Sequence, residues 1–158
     1  MALPPPDFDP EKADNFEDIE KQFAVKVVQH MSTYWAILEK VPGSKLRLTK
    51  LDDEIYEHLL ADFPEFDAEE TIDEDVMKSK TGKERWRNFM MKYEHKVDDY
   101  NFGTMLRSNP KWEYGQDETI FGLVPRMQFY AIEIARNRKG LNDWIYEKNQ
   151  KEAGAAKA

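Results

Sequence analysis

Residues 14–40, DNFEDIEKQFAVKVVQHMSTYWAILEK, carry the longest regular hydrophobic pattern in the chain. Their apolar side chains recur at steps of three and four, which is the spacing of one face of an α-helix. These positions are Phe16, Ile19, Phe23, Val27, Met31, Tyr34 or Trp35, and Leu38. Asp14 and Glu17 have the spacing of a capping box, and Pro42-Gly43 is typical of a helix end. The pattern predicts one long helix over this stretch.

The rest of the chain predicts four more helices. Residues 51–61 have helical spacing and stop before Pro64. A stretch that begins near Thr81 or Lys83 repeats apolar side chains at three and four through Tyr100, with a basic opposite face. Pro125 suits the first residue of a nearly all-round hydrophobic helix that ends before residue 140, and a short final helix follows.

Little β structure is predicted. Residues 45–49 alternate polar and apolar side chains, as a short strand does, and residues 104–123 are loop with at most one short strand, at 119–121. The fold class is therefore mainly α: a compact single-domain helical bundle of about five helices with at most a minor β element. We predict an extended Pro-rich lead-in over 1–13, the helical domain over 14–149 and a flexible tail over 150–158.

Composition restricts the function as well as the fold. The 158 residues include 31 acidic and 23 basic side chains, for a net charge of -8, and no cysteine. This excess of acid argues against direct binding to nucleic acid or to an anionic membrane, because both need Lys and Arg. Without cysteine there is no disulfide framework, and no stretch has the pattern of a signal peptide or a membrane helix. We therefore expect a cytoplasmic protein.

The charge is unevenly distributed along the chain. Residues 1–79 hold 20 acids and 8 bases, whereas residues 80–158 hold 11 acids and 15 bases. Between Asp52 and Asp75 there are twelve acids and no Lys or Arg. Such a run is usually a solvated face or loop, because like charges repel. The alternative is a docking surface for a basic partner.

Motifs for catalysis or for binding metals and cofactors are weak. The three histidines fall on separate predicted elements, and His58 is expected on the surface of an acidic helix. Residues 80–83, KTGK, resemble a phosphate loop in composition but lack a preceding strand and spaced glycines. Asp98 and Asp99 are adjacent, so they do not face each other on a helix as an acid/base pair would. We expect no enzyme activity, no metal and no cofactor.

Residues 126–138, RMQFYAIEIARNR, place charges on an otherwise apolar helix. Arg126, Glu133 and Asn137 fall at spacings of seven and four, close to one line along it. Charges on such a helix must be paired or must face a partner. One interpretation is an internal ion-pair network that fastens Asp98-Asp99 or Arg107 to this helix, and the other is a partner-binding surface.

Two passages resemble a known family. Residues 97–107, VDDYNFGTMLR, and residues 124–140, VPRMQFYAIEIARNRKG, are similar to the polysaccharide-biosynthesis-domain-containing family of small eukaryotic cytosolic proteins. Residues 3–10, LPPPDFDP, and residues 13–17, ADNFE, look like its fungal members. The similarity covers about residues 1–150.

The resemblance implies a mostly helical fold and a dedicated chaperone. Its client is the nascent GTPase domain of translation elongation factor 1-alpha, with recruitment to the ribosome through the nascent polypeptide-associated complex. A chaperone for one client needs a shaped surface and complementary charge rather than a nucleophile. The client-binding hypothesis rests on the polar residues of the matching passages: Tyr100, Asn101, Arg107, Arg126, Glu133 and Arg136.

Two other functions fit parts of the pattern. The family name suggests an enzyme or accessory protein of polysaccharide biosynthesis, which would present convergent polar groups in an apolar pocket. The acidic run suggests a protein-interaction module whose binding is lost at high salt. For the chaperone, we expect a monomer that makes no direct contact with nucleic acid or membrane.

Overall fold

A computed structural model describes the backbone of residues 10–120 and 122–157, and the side chains of residues 20–120 and 122–155. Within these residues the chain forms six α-helices and one two-stranded antiparallel sheet, so the predicted mainly α class is confirmed. The elements are α1 Pro10–Lys40, α2 Asp52–Asp62, α3 Glu74–Met77, α4 Lys80–Met91, β1 Gly103–Thr104, β2 Val124–Pro125, α5 Arg126–Arg138 and α6 Asp143–Lys157.

Helix α5 is the centre of the fold. Every side chain from Met127 to Asn137 is buried except that of Tyr130, which is half-buried. Helices α2 and α4 pack on α5, and α1 packs along α6. A helix hydrophobic around nearly its whole circumference can be stable only inside a domain, and α5 occupies that position. The fully buried apolar side chains include Leu38, Ile55, Leu59, Phe89, Leu106, Met127 and Ile132.

The ends of the chain are more helical than the sequence predicts. Helix α1 begins at Pro10, four residues before the predicted start at Asp14, because proline is tolerated in a first helical turn. Residues 1–9 of the predicted lead-in lie outside the described residues. Helix α6 continues through Lys157 into the predicted tail, where Ala, Lys and Glu favour helix. None of the described helices has the length and apolar character needed to cross a membrane.

The predicted strand at 45–49 is wrong. A short 3-10 helix, Gly43–Lys45, occupies its start. The carboxylate of Asp52 then accepts hydrogen bonds from the backbone amides of Leu48 (2.8 Å) and Thr49 (2.7 Å) and from the Thr49 hydroxyl (2.7 Å). Since these two amides bond to a side chain, the segment forms a tight connection into α2 instead of a strand.

Removing the Asp52 carboxylate should loosen this connection. Asp52 is buried, so in Asp52→Ala the amides of Leu48 and Thr49 lose a charged acceptor; we expect a loss of about 2 kcal/mol in the free energy of unfolding. Urea denaturation measures it. Asp53→Ala is the matched control, because Asp53 is exposed and its ion pair with Arg138 lies at the surface. Equal losses in the two variants would contradict the role given to Asp52.

Helix α4 is shorter than predicted, ending at Met91 rather than near Tyr100. Bonds from the Tyr93 amide to the Met90 carbonyl and from the Lys96 amide to the Tyr93 carbonyl tighten the chain into turns. These turns bring the carbonyls of Tyr100 and Phe102 to the first turn of α5, where they accept from the amides of Met127 and Arg126 (both 2.7 Å). Hydrogen bonding of these amides stabilises the turns more than the apolar spacing of residues 92–100 stabilises a longer α4.

The β-strands also lie at positions other than the predicted ones. Gly103 pairs with Pro125 and Thr104 with Val124, and a single bridge joins Arg107 to Thr119. The strands therefore flank the 104–123 loop instead of lying at 119–121. This small sheet holds the loop closed, and it carries Arg107 toward α5.

Candidate functional site

Glu133 of α5 lies at the centre of a buried polar cluster. Its Oε1 accepts from Nη1 of Arg136 (3.0 Å) and Nη2 of Arg107 (3.4 Å). Its Oε2 accepts from the Tyr34 hydroxyl and from Nδ2 of Asn142, both at 2.8 Å. We call these five residues the Glu133 cluster. They join α1, the 104–123 loop, α5 and the start of α6, so the internal ion-pair network predicted from the sequence is confirmed.

The Arg107 guanidinium is held from several directions. Its Nη1 donates to the carbonyls of Pro110 (2.9 Å) and Trp112 (3.0 Å), and its Nη2 donates to Oδ1 of Asn142 (2.7 Å). The ring of Trp35 lies 5.6 Å from the guanidinium carbon. A planar guanidinium group can donate to several fixed acceptors and lie against an aromatic ring at the same time. This arrangement suits arginine and not lysine. Arg107 therefore anchors the 104–123 loop to the core.

The Glu133 cluster contains more positive than negative charge. Burial raises the pKa of Glu133, but Arg107 and Arg136 outweigh it and lower the pKa, so the carboxylate is ionised. Burial lowers the pKa of Arg136; Glu133 opposes this effect, while the like charge of Arg107 adds to it. Burial and the Glu133 carboxylate raise the pKa of Tyr34, which stays a neutral donor. One carboxylate thus serves two buried guanidinium groups.

Gly43 lies directly against this cluster. A Cβ atom at this position would lie 2.4 Å from Oδ1 of Asn137 and 3.1 Å from Cβ of Asn142. Gly43→Ala should therefore displace Asn137 and Asn142 and lower the free energy of unfolding by about 1–3 kcal/mol. Gly154→Ala is the control, because nothing lies within 4 Å of a Cβ there. Thermal or urea unfolding compares the two, and an unchanged stability in Gly43→Ala would refute the packing argument.

A separate open groove lies between α1, the Leu46–Leu48 connection and the start of α5. Its volume is about 660 Å³. We call it the α1–α5 groove. Its apolar lining comes from Ile37, Leu46, Leu48, Phe102, Phe129 and Tyr130, and its polar lining from Lys26, Gln29, His30, Thr33, Tyr34, Arg47, Asp99 and Arg126.

The charges around the α1–α5 groove are mainly positive. Lys26, Arg47 and Arg126 face a single carboxylate, that of Asp99. Arg126 Nη1 lies 3.6 Å from Asp99 Oδ2, and its guanidinium carbon lies 5.3 Å from the Phe102 ring centre. Asp99 has a φ of 54°, a backbone conformation that Asp tolerates better than most residues. The groove is thus a locally cationic site on an acidic protein.

His30 forms part of the groove wall. Burial, and then the positive charge of Arg126, lower its pKa below the usual 6.5, so the ring is neutral at physiological pH. The ring lies edge-on to Phe129 with centroids 5.0 Å apart. His30 therefore adds aromatic surface to the groove and no charge near neutral pH.

The six residues of the client-binding hypothesis fall in two places. Arg107, Glu133 and Arg136 have no exposed surface, and their hydrogen bonds are all within the protein. Arg126 lines the α1–α5 groove, Asn101 is exposed, and Tyr100 is half-buried. Direct client contact therefore stays a prediction for Tyr100, Asn101 and Arg126, while the other three hold the scaffold.

The sequence did not identify Lys26 and Arg47 as groove residues. One signal was present, since Lys26, His30, Thr33 and Ile37 follow at helical steps and so share one face of α1. Arg47 belongs to the 45–49 segment, whose alternating pattern predicted a strand instead of a groove wall. Only the packing of α1 against the start of α5 brings these cations together.

The weaker motifs have structural explanations. His58 is half-buried, stacks on Phe89 with ring centroids 4.1 Å apart and bonds to the Tyr93 hydroxyl (2.8 Å), so its predicted surface position is wrong. Gly82, in the sequence that resembles a phosphate loop, allows close packing, because a Cβ there would lie 2.3 Å from the Val76 carbonyl oxygen. Among the described residues, no three His, Asp or Glu side chains are grouped to hold a metal.

Together these features define a class of small, mainly α-helical protein, built on a buried charge cluster and carrying an open cationic groove. The sequence profile described as "PBDC1 protein" matches residues 19–147, and the chain belongs to the PBDC1 family. The resemblance seen in residues 97–107 and 124–140 is thereby confirmed.

The family relatives cover nearly the whole chain. The Saccharomyces cerevisiae protein called "Protein PBDC1 homolog" is 57% identical over 141 residues, which are 87% of this chain and 95% of the relative. The Schizosaccharomyces pombe protein of the same name is 59% identical over 140 residues, 87% of this chain and 94% of the relative. A solution NMR structure of a Saccharomyces cerevisiae protein, 57% identical, matches with a TM-score of 0.76 over 89% of this chain and 97% of that one.

Proposed function

We propose that this protein is a dedicated chaperone that binds the nascent GTPase domain of translation elongation factor 1-alpha and assists its co-translational folding. The observation that supports this most is the α1–α5 groove, which combines an apolar floor with cations that have few partners. A site of this kind suits reversible binding of a polypeptide segment. The family resemblance supplies the identity of the client.

The proposal includes how the protein reaches its client. With a net charge of -8, it is poorly suited to bind ribosomal RNA directly. Recruitment through the nascent polypeptide-associated complex avoids that difficulty, because a protein adaptor makes the ribosomal contact. The chaperone acts in the cytoplasm, as a monomer, without enzyme activity or a cofactor.

The test is capture of the client during synthesis. The tagged full-length protein is added to a translating extract that makes elongation factor 1-alpha, and ribosome–nascent-chain complexes are recovered with and without puromycin. We expect nascent elongation factor 1-alpha to be the dominant client, its ribosome-bound fraction to be released by puromycin, and depletion of the nascent polypeptide-associated complex to reduce capture. An unrelated GTPase made in the same extract is the control. Equal recovery of both GTPases would refute a dedicated role.

A second candidate function is supported by a different surface. An apolar cleft of about 270 Å³ lies between the α2–α3 connection and α4, with Phe63, Phe66 and Trp86 in its lining. The acids Glu65, Asp67, Glu70 and Asp73 also line it, against one base, Arg85. This arrangement suits a basic, partly apolar segment of a ribosomal protein or an adaptor. Binding there should weaken with salt and should survive substitutions in the α1–α5 groove.

The remaining alternative, an enzyme or accessory protein of polysaccharide biosynthesis, rests on the family name alone.

A further inference from the structure

The α1–α5 groove has the dimensions of a peptide site. Lys26 and Ile37 lie on the same face of α1, eleven residues apart, which is about 16 Å along the helix. That length accommodates roughly five residues of extended chain. Phe102, Phe129 and Tyr130 line the groove with aromatic surface, which favours burial of apolar side chains from a ligand.

The cations of the groove have little to neutralise them. Lys26 and Arg47 are exposed and form no ion pair among the described residues. Asp53 also lies near Arg47, but its carboxylate is engaged by Arg138. Arg126 has only the mostly exposed Asp99, at 3.6 Å. Three cations facing one groove carboxylate give this site a local charge opposite to that of the whole molecule.

We propose that the α1–α5 groove binds an acidic segment of the client that also carries apolar side chains. This inference rests on the proposed function and specifies which surface performs it and what chemistry the client presents. The acidic groups of the segment pair with Lys26, Arg47 and Arg126, and its apolar side chains lie on Phe102 and Phe129. Charge steers the encounter, and apolar burial retains the bound segment.

A peptide fits this site better than a small anion does. A phosphate or nucleotide site usually places several donors around one point, often backbone amides of a glycine-rich turn. Here Lys26 and Arg47 extend from separate elements, and apolar side chains also contribute to the lining. Such a lining suits a chain that carries both acidic and apolar groups.

The main test is charge reversal at the two exposed cations. Lys26→Glu with Arg47→Glu changes the net charge by four units and breaks no ion pair among the side chains that the structure describes. Lys111→Glu with Lys151→Glu is the matched control, because it makes the same change at exposed positions outside the groove. We expect the groove variant to capture at least tenfold less nascent elongation factor 1-alpha and the control variant to capture within twofold of wild type. Thermal unfolding of both variants shows that each is folded.

Two further measurements identify the ligand chemistry. A photo-crosslinking residue in place of Thr33, in the groove wall, should join a client segment that mass spectrometry shows to be rich in Asp or Glu and apolar residues. The same residue in place of Asn88, on the exposed side of α4, is the control. Crosslinking at position 33 to a basic client segment would overturn the proposal.

The two proposals fail in different ways. If wild type captures no elongation factor 1-alpha, the proposed function fails, and the groove assignment fails with it. If wild type captures the client and the groove variant captures it equally well, the function stands and the groove assignment is wrong.

Discussion

Replacing Glu133 with glutamine should destabilise the protein by about 3–5 kcal/mol, a large part of the stability of an ordinary domain. Glutamine has the same shape but no charge, so the buried guanidinium groups of Arg107 and Arg136 lose the carboxylate that both of them contact. It also replaces one acceptor oxygen with an amide donor. The cost is large because unpaired charges in the interior cannot be solvated.

Urea denaturation followed by circular dichroism measures this effect. Glu147→Gln is the matched control, because Glu147 lies on the exposed side of α6 and forms no ion pair among the described residues. If Glu133→Gln is too unstable to fold, Tyr34→Phe gives a milder measure, since it removes the bond donated to Glu133 and the one accepted from Nδ2 of Asn137, about 1–3 kcal/mol. A loss below 1 kcal/mol in Glu133→Gln would show that the cluster is not the anchor we infer.

The pH dependence of stability provides an independent check. The folded-state pKa of Glu133 lies below its usual 4.5, so the unfolded chain binds the proton more readily. The contribution of Glu133 is therefore complete above pH 4.5 and is lost as the pH falls toward the lower folded-state pKa. Between pH 7 and pH 3, wild type should lose more stability than Glu133→Gln, because the variant lacks this titration.

Replacing Phe89 with alanine should cost a similar amount, about 3–5 kcal/mol, through a different mechanism. Phe89 has no exposed surface and lies among four rings: those of His58 (centroids 4.1 Å apart), Trp86 (5.5 Å), Tyr93 (5.6 Å) and Phe63 (6.1 Å). Removal of the ring leaves a cavity that the surrounding rings cannot fill without losing their own contacts.

Met91→Ala is the control for Phe89→Ala, since Met91 is on the same helix but is 57% exposed. We expect Met91→Ala to change the free energy of unfolding by less than about 0.5 kcal/mol. Comparable losses in the two variants would contradict the ring-cluster argument, because an exposed side chain would then matter as much as the buried ring. Guanidinium denaturation of both proteins in parallel makes the comparison.

Periodicity predicted those helices whose patterns agree with their packing. Helix α1, the 51–61 helix and the helix after Pro125 are present because burial of apolar side chains stabilises each of them, on α1 through Val27, Tyr34 and Leu38. Prediction was wrong where another hydrogen-bonding group competes for the backbone. Asp52 takes the amides of Leu48 and Thr49 from the expected strand, and the first turn of α5 draws the 93–102 segment out of the α4 helix.

The candidate site, like the fold, was predicted from the sequence only in part. The sequence identified the charged residues of 126–138 and the choice between an internal network and a binding surface. The structure shows the internal network, with Glu133 and Arg136 in it, and places Arg126 outside it, at the groove. Residues seven positions apart on one helix lie on one side of it, but their burial depends on which other elements cover each turn.

The amino-acid sequence by itself determined the mainly α class, the excess of acid, the family resemblance and the presence of charges that needed partners. These are local or summed properties of the chain, and periodicity and composition report them directly. Only the tertiary structure decided that Arg107 reaches Glu133 across 26 residues, and that Lys26, Arg47 and Arg126 surround one groove. Those arrangements depend on contacts between segments far apart in the chain, which a pattern of neighbouring residues does not encode.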